Sequence, residues 1–240
     1  MSPDTRKHRG PHPRDTKAFA PEHLPALRKA TFELSWLLSR DYASKAALKL
    51  VGDHYQLNQR QRIAVARAAC SDNQRAQRIS RAVAPRFLEG QRARIDGFNL
   101  LITVEAALAG GLLLLCRDGC VRDLASVHGT YRAVEETERA LRVVGHALAE
   151  LGAAEAVWYL DRPVSNSGRL AGKIAALGAA QGWAWRVEVV TNPDVPLKRG
   201  GDLIVTSDGS LLDEAGQWVN FPAYLVRGHL DPVWLVDLSK

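Results

Sequence analysis

The chain has 240 residues, 46% of them apolar and 24% charged, and a net charge of +6. At roughly 100–200 residues per domain, that is one ordinary domain or two small ones with the balance of a folded protein. No apolar run approaches the ~18 residues that a membrane-crossing helix needs, and three cysteines (Cys70, Cys116, Cys120) are too few for a disulfide scaffold.

Residues 1–20 are polar and proline-bearing, a composition that predicts a disordered basic arm. The opening MSPDTRKHRGPHPRD has no apolar stretch behind it, which argues against a secretory signal and makes the cytoplasm the expected location. From Pro21 the apolar spacing turns helical, with a helix ending near Arg40. Ser44 is the expected N-cap of a short helix closed by Gly52, and Asn58 that of the next, QRQRIAVARAAC. A last basic helix stops before Pro85, so residues 21–90 form an expected all-α domain, helix-turn-helix-like in its spacing.

Charge divides the same way. Residues 1–90 carry 17 Lys+Arg against 8 Asp+Glu, and residues 91–240 carry 15 against 18. Arg60, Arg62, Arg67, Arg75 and Arg78 fall on successive helices, a pattern suited to phosphate contacts, with a solvated structural face as the alternative.

Residues 91–240 change character. ARIDGFNLL, GLLLLCRDG, AVWYLDRP, WRVEVVT, DLIVTSDG and AYLVRG read as short apolar strands, and helical patterns lie between them. The fold class is therefore α/β, with a mostly parallel sheet covered on both faces.

Asp96, Asp118, Asp161 and Asp208 each close one of these strands. In an open parallel sheet, strand ends of this kind share one edge, where ligands bind. Four carboxylates together repel unless a cation joins them, and oxygen-only donors suit Mg²⁺ or Mn²⁺. Each Asp alone also makes an ordinary turn or cap. Asn99 is placed to orient Asp96 or to cap the helix that follows, and Glu105 lies nearly two turns further along that helix. Ser165, Asn166, Ser167 and Arg169, with Arg162, form a loop-to-helix seat for phosphate, N-capping being the alternative role for the serines. Arg122 and Asp123 read as supporting residues or a surface pair. His128 reads as a loop histidine, with general base as the other reading.

The segment WLLSRDYASKAALKLVGDHYQLNQRQRIAVARAACSD resembles an uncharacterised prokaryotic family, domain of unknown function 434. The region containing IDGFNLLITVEAAL, DGCVRDLASVHGTYR, LDRPVSNSGR and VTSDGSLLD resembles its usual C-terminal partner domain. IDGFN and IVTSDGSLL are also similar to motifs of PIN-like and NYN nucleases. That second resemblance implies a PIN-like α/β/α fold over residues 91–240 and metal-dependent cleavage of phosphodiesters, RNA favoured over DNA. It gives roles to Asp96, Asn99 and Asp208, with Asp161 as a middle acid. The acid such nucleases carry on a central helix has no clear match, and the alternatives are substitution by Asp118 or Asp123 or an incomplete site. The competing expectations are a nucleic-acid-binding protein without the chemistry and a phosphohydrolase or nucleotide-binding enzyme.

Overall fold

The computed structural model describes residues 8–125, 131–199 and 201–240. A short helix α1 (Asp15–Ala18) leads into α2 (Leu24–Leu38), α3 (Ser44–His54), α4 (Gln59–Ala68) and α5 (Asp72–Arg81). Asn58 caps α4 reciprocally with Gln61: the Gln61 amide donates to Asn58 Oδ1 at 3.1 Å and the Asn58 amide to Gln61 Oε1 at 3.0 Å. Ser71 and Gln74 cap α5 in the same way. Each such box satisfies two otherwise orphaned helix-end groups. Gly52 does not close α3. It makes room for the Arg62 guanidinium, which a Cβ there would meet at 2.3 Å.

Strand β1 (Ala82–Val83) follows, then β2 (Arg92–Asp96), α6 (Gly97–Leu108), β3 (Leu112–Leu115), β4 (Val121–Asp123), α7 (Thr137–Glu150), β5 (Glu155–Asp161) and α8 (Ser167–Gln181). The chain ends with β6 (Trp185–Val190), α9 (Asp194–Lys198), β7 (Leu203–Val205), α10 (Gly209–Glu214), β8 (Trp218–Val219), α11 (Phe221–Gly228) and β9 (Trp234–Asp237). The expected strand AYLVRG is therefore a helix. Pro222 stands in its first turn, where a missing N–H removes no hydrogen bond.

Six strands form a parallel sheet in the order β1-β8-β7-β2-β5-β6. Ala93, Ile95, Trp158, Leu160 and Val205 point to one face, against α6, α7 and α8. Val157, Tyr159 and Ile204 point to the other, against Leu197, Leu211 and Leu212. Both faces are buried, as continuous apolar strands require. The LLLL run does not join this sheet. It makes a separate sheet, β4-β3-β9. Leu112 and Leu114 of that sheet pack on Leu27, Leu34, Ala64 and Val65 of the helices, and Leu113 packs on α6.

The helical region thus shares a core with the second sheet, and β1 carries it into the first. Residues 8–20 of the arm are packed on the rest of the chain and not disordered. Arg9 forms a buried ion pair with Glu105, Asp15 pairs with Arg60, and Phe19 lies in the core. Among the described residues no helix is long and apolar enough to cross a membrane.

Candidate active site at the carboxyl edge of the parallel sheet

Strand β2 lies mid-sheet, with β5 on one side and β7 on the other. Helix α6 leaves β2 toward one face, and α10 leaves β7 toward the face it shares with α5 and α9. A crevice opens where successive connections part in this way. Asp96 ends β2, and Gly97 after it is required because a Cβ there would meet the Tyr159 carbonyl oxygen at 2.8 Å.

Thr206 links the two sides of the crevice. Its hydroxyl donates to Asp96 Oδ2 at 2.8 Å and accepts from the Asp208 amide at 3.0 Å. Asn99, in the first turn of α6, holds the same loop by accepting from the Ser207 amide at 2.9 Å and the Ser207 hydroxyl at 2.8 Å. Asn99 is a positioning residue, and α6 has no side-chain cap. Asp208 caps α10, its Oδ1 accepting from the Ser210 amide, the Ser210 hydroxyl and the Leu211 amide.

Asp161 ends β5, and Asp194 opens α9 just beyond β6. Arg94, beneath the sheet, holds α9 in place by donating to the Pro196 carbonyl at 2.6 Å. Four adjacent strands therefore bring Asp208, Asp96, Asp161 and Asp194 toward one edge. Asp194 was not among the sequence candidates. The signal was the Asn-Pro-Asp turn directly after WRVEVVT.

Electrostatics reflects the arrangement. Burial raises the Asp96 carboxyl to about 7, and the charges of Asp208, Asp161 and Asp194 add to this, against the lowering bond from Thr206. Burial, then Asp194, raises Asp161. For Asp208, burial is outweighed by the bonds from Ser210 and Leu211, and its carboxyl is lowered.

Asp118 does not belong to this group. It lies in the β3–β4 turn of the second sheet, and guanidiniums take the place a metal would have. Arg122 binds it at 3.0 and 2.6 Å, Arg78 at 2.7 Å, and the Cys120 amide at 3.1 Å. Arg122 also donates to the Ser207 carbonyl at 2.6 Å, so it is a buried structural tie more than a phosphate ligand. Asp123 is buried, accepts from Thr103 at 2.8 Å and stands 3.8 Å from Arg67. Glu105 is buried on the far side of α6 with Arg9, Tyr131 and Thr137. Ser167 is buried, its hydroxyl donating to the Asp161 and Val164 carbonyls, which leaves no proton for a phosphate. His128 lies outside the described residues.

The arginines of the helical region are largely engaged within the protein. Arg60 donates to both oxygens of Asp15 at 2.8 Å, Arg62 to Asp53 at 2.7 Å and Arg67 to the Asp123 carbonyl at 2.7 Å. Arg75 reaches the Arg117 carbonyl at 3.1 Å, and Arg78 is buried between Asp118 and Asp213. They form a seam more than an open cationic face. Arg60→Ala would leave Asp15 buried without its cation, and should lower stability by roughly 2 kcal/mol, discounted because the Arg60 side chain is part-exposed. Urea denaturation measures it. A stable variant with weakened nucleic-acid binding would instead restore Arg60 to a binding role.

Between this seam and the strand edge lies a cleft of about 520 Å³, lined by Arg67, Arg78, Asn99, Arg122, Ser207 and Asp208 among others. Among the described residues no three His, Cys, Asp or Glu side chains are grouped closely enough to hold one ion between them.

Residues 85–224 match the family model described as Domain of unknown function (DUF5616), and residues 26–81 match Protein of unknown function (DUF434). The chain is 32% identical over 187 residues to Uncharacterized protein MJ0935 of Methanocaldococcus jannaschii, a match covering 78% of this chain and 89% of that protein. No solved structure matches it. With more than half its length matched by one family model, and most of it shared with that archaeal relative, the chain belongs to the DUF5616 family and carries a DUF434 segment ahead of it.

Proposed function

We propose that the chain is a Mg²⁺- or Mn²⁺-dependent phosphodiester hydrolase acting on nucleic acid, with Asp96, Asp161 and Asp208 as its central acids and Asp194 beside them. The observation that carries this reading is the delivery of four carboxylates by four adjacent parallel strands to the edge where the topology opens a crevice. RNA is the substrate class that the likeness of IDGFN and IVTSDGSLL to nuclease motifs implies.

The donor set suits such an ion in its chemistry. It is oxygen-only, and Asp96 faces like charges offset by the hydroxyl of Thr206. A site without three grouped side chains suits Mg²⁺, which usually takes one or two carboxylates and fills its remaining positions with water and phosphate oxygens. Asp96 and the free oxygen of Asp208 would hold the ion. A divalent ion there would offset phosphate charge and activate water for in-line attack. Thr206 and Asn99 keep the two loops in register, and the cleft beside them receives the substrate strand.

The test is incubation of a labelled single-stranded RNA with the full chain. Cleavage should appear with millimolar Mn²⁺ and vanish with EDTA. Binding of the RNA without cleavage at any metal concentration would favour the second reading, a binding protein without the chemistry. One observation favours that reading: Asp208 already has a structural task as the cap of α10.

A further inference from the structure

Helix α8 starts six residues after Asp161, and the Ser167 hydroxyl ties its first turn to the Asp161 carbonyl. Beside its first two turns lies a pocket of about 220 Å³ lined by Tyr131, Arg132, Asn166, Arg169 and Lys173 with small apolar contacts. Arg169 and Lys173 are one turn apart and exposed. Among the described residues neither has a hydrogen-bonding or ion-pairing partner, in contrast to the arginines of the helical seam. No Asp or Glu lines the pocket.

Two further features make this concavity a built one. Asn166, the residue ahead of α8, holds a left-handed backbone (φ 71°), a conformation uncommon outside glycine, and its amide donates to the Tyr131 carbonyl at 2.8 Å. That bond fixes the Tyr131–Arg132 segment against the helix. Asn166 also makes no side-chain cap, so the leading N–H groups of α8 lack one. Arg169 and Lys173 stand one turn apart beside a small pocket, and an anion bound there relieves their mutual repulsion.

We propose that this pocket binds a backbone phosphate of the nucleic-acid substrate, one loop beyond the Asp161 strand end. The inference rests on the hydrolase reading for its choice of ligand. A strand lying across the carboxyl edge would run from the cleft beside Asp208, past Asp96 and Asp161, to Arg169 and Lys173. Arg169 supplies a planar fork of donors and Lys173 a point charge, the usual pair of phosphate contacts.

The experiment measures binding of a labelled single-stranded RNA to the full chain in EDTA, across a salt series, so that hydrolysis plays no part. Each phosphate contact contributes about 0.7 to the slope of log affinity against log salt for a single strand. Arg169→Ala with Lys173→Ala removes one phosphate contact and should flatten the slope by about 0.7 and lower affinity about fourfold near physiological salt. Arg169→Lys with Lys173→Arg should retain most of both. Unchanged slope and affinity in the double-alanine variant overturn the proposal while leaving the hydrolase reading intact. If the wild type binds no RNA even at low salt, both fail. A second arm titrates inorganic phosphate and reads the melting temperature. A phosphate-induced rise lost in the double-alanine variant, with RNA binding unaffected, would assign the pocket to a free phosphate and overturn its assignment to a strand.

Discussion

Asp118→Asn is expected to destabilise the protein by about 3–5 kcal/mol, the usual penalty for breaking a buried ion pair by removing one partner. For a chain of this size that is a fall in Tm of about 10 °C. Asp118 stands between two buried guanidiniums, their side chains 5% and 7% exposed. Arg78 keeps Asp213 at 2.7 Å after the substitution, but Arg122 loses its carboxylate and keeps the neutral carbonyls of Ser207 and Arg67. An Asn amide can offer one acceptor where the carboxylate offers several, and its NH₂ would face donors. The network also spans α5, the β3–β4 turn and α10, so its loss loosens the docking of the helical region on the sheets.

The same residue contributes to acid lability. Burial alone would raise the Asp118 carboxyl, but Arg122 and then Arg78 outweigh it and hold it at about 2 against an ordinary value of 3.8. A depressed folded value contributes stability that is present above pH 4 and lost as pH falls toward 2. The size is roughly 2 kcal/mol at about 1.4 kcal/mol per pH unit. Urea melts at pH 2, 4 and 7 should show the step in the wild type and not in Asp118→Asn. Replacing Asp118 and Arg122 together by Leu and Met should recover much of the loss, because it leaves no uncompensated charge between them. A single variant within 1 kcal/mol of wild type would contradict this account.

What the sequence made legible was what is local or periodic. The strands ARID, AVWYLD and LIV stand out because residues buried on both faces give apolar runs, while WRVEVV, an edge strand, stands out by its Val residues alternating with Arg186 and Glu188. The cap at Asn58 is readable because Gln61 completes its box three residues on. The role of Asp118 was not readable. Its strand looks like the others, and membership in a second sheet depends on pairing with Trp234–Asp237, far along the chain. Its counter-charge from Arg78 comes from 40 residues away. The arginines suffer the same ambiguity, since a cationic helix face has one pattern whether it meets phosphate or buried carbonyls. AYLVRG reads as a strand because its apolar residues are contiguous, although Pro222 marks the helix start. The arm escapes a compositional reading because buried ion pairs hold Arg9 and Asp15, and its apolar anchorage comes from two residues, Ala18 and Phe19, at its end.

Asp96→Asn should abolish metal-dependent hydrolysis and, in the metal-free protein, raise stability at neutral pH. The substitution keeps the oxygen that accepts from Thr206 and removes the charge that faces Asp208, Asp161 and Asp194. The folded carboxyl titrates at about 7 against an ordinary value of 3.8. Between those values the folded state holds a proton that the unfolded state has released, so wild-type stability falls as pH rises through this window and stays reduced above 7. The full difference is about three units, or roughly 4 kcal/mol, and discounting for the part-exposed side chain leaves roughly 2 kcal/mol. Asp96→Asn should therefore match the wild type at pH 4 and exceed it by about 5 °C in Tm at pH 8 in EDTA. Millimolar Mn²⁺ should raise the wild-type Tm at pH 8 and have much less effect on the variant, because binding to the folded state alone stabilises it. RNA affinity should persist or improve, since one repulsive charge at the phosphate path is gone. If Asp96→Asn instead lowers Tm at pH 8 and Mn²⁺ leaves the wild type unchanged, Asp96 is a structural strand-end residue. The crevice would then hold a strand without cutting it.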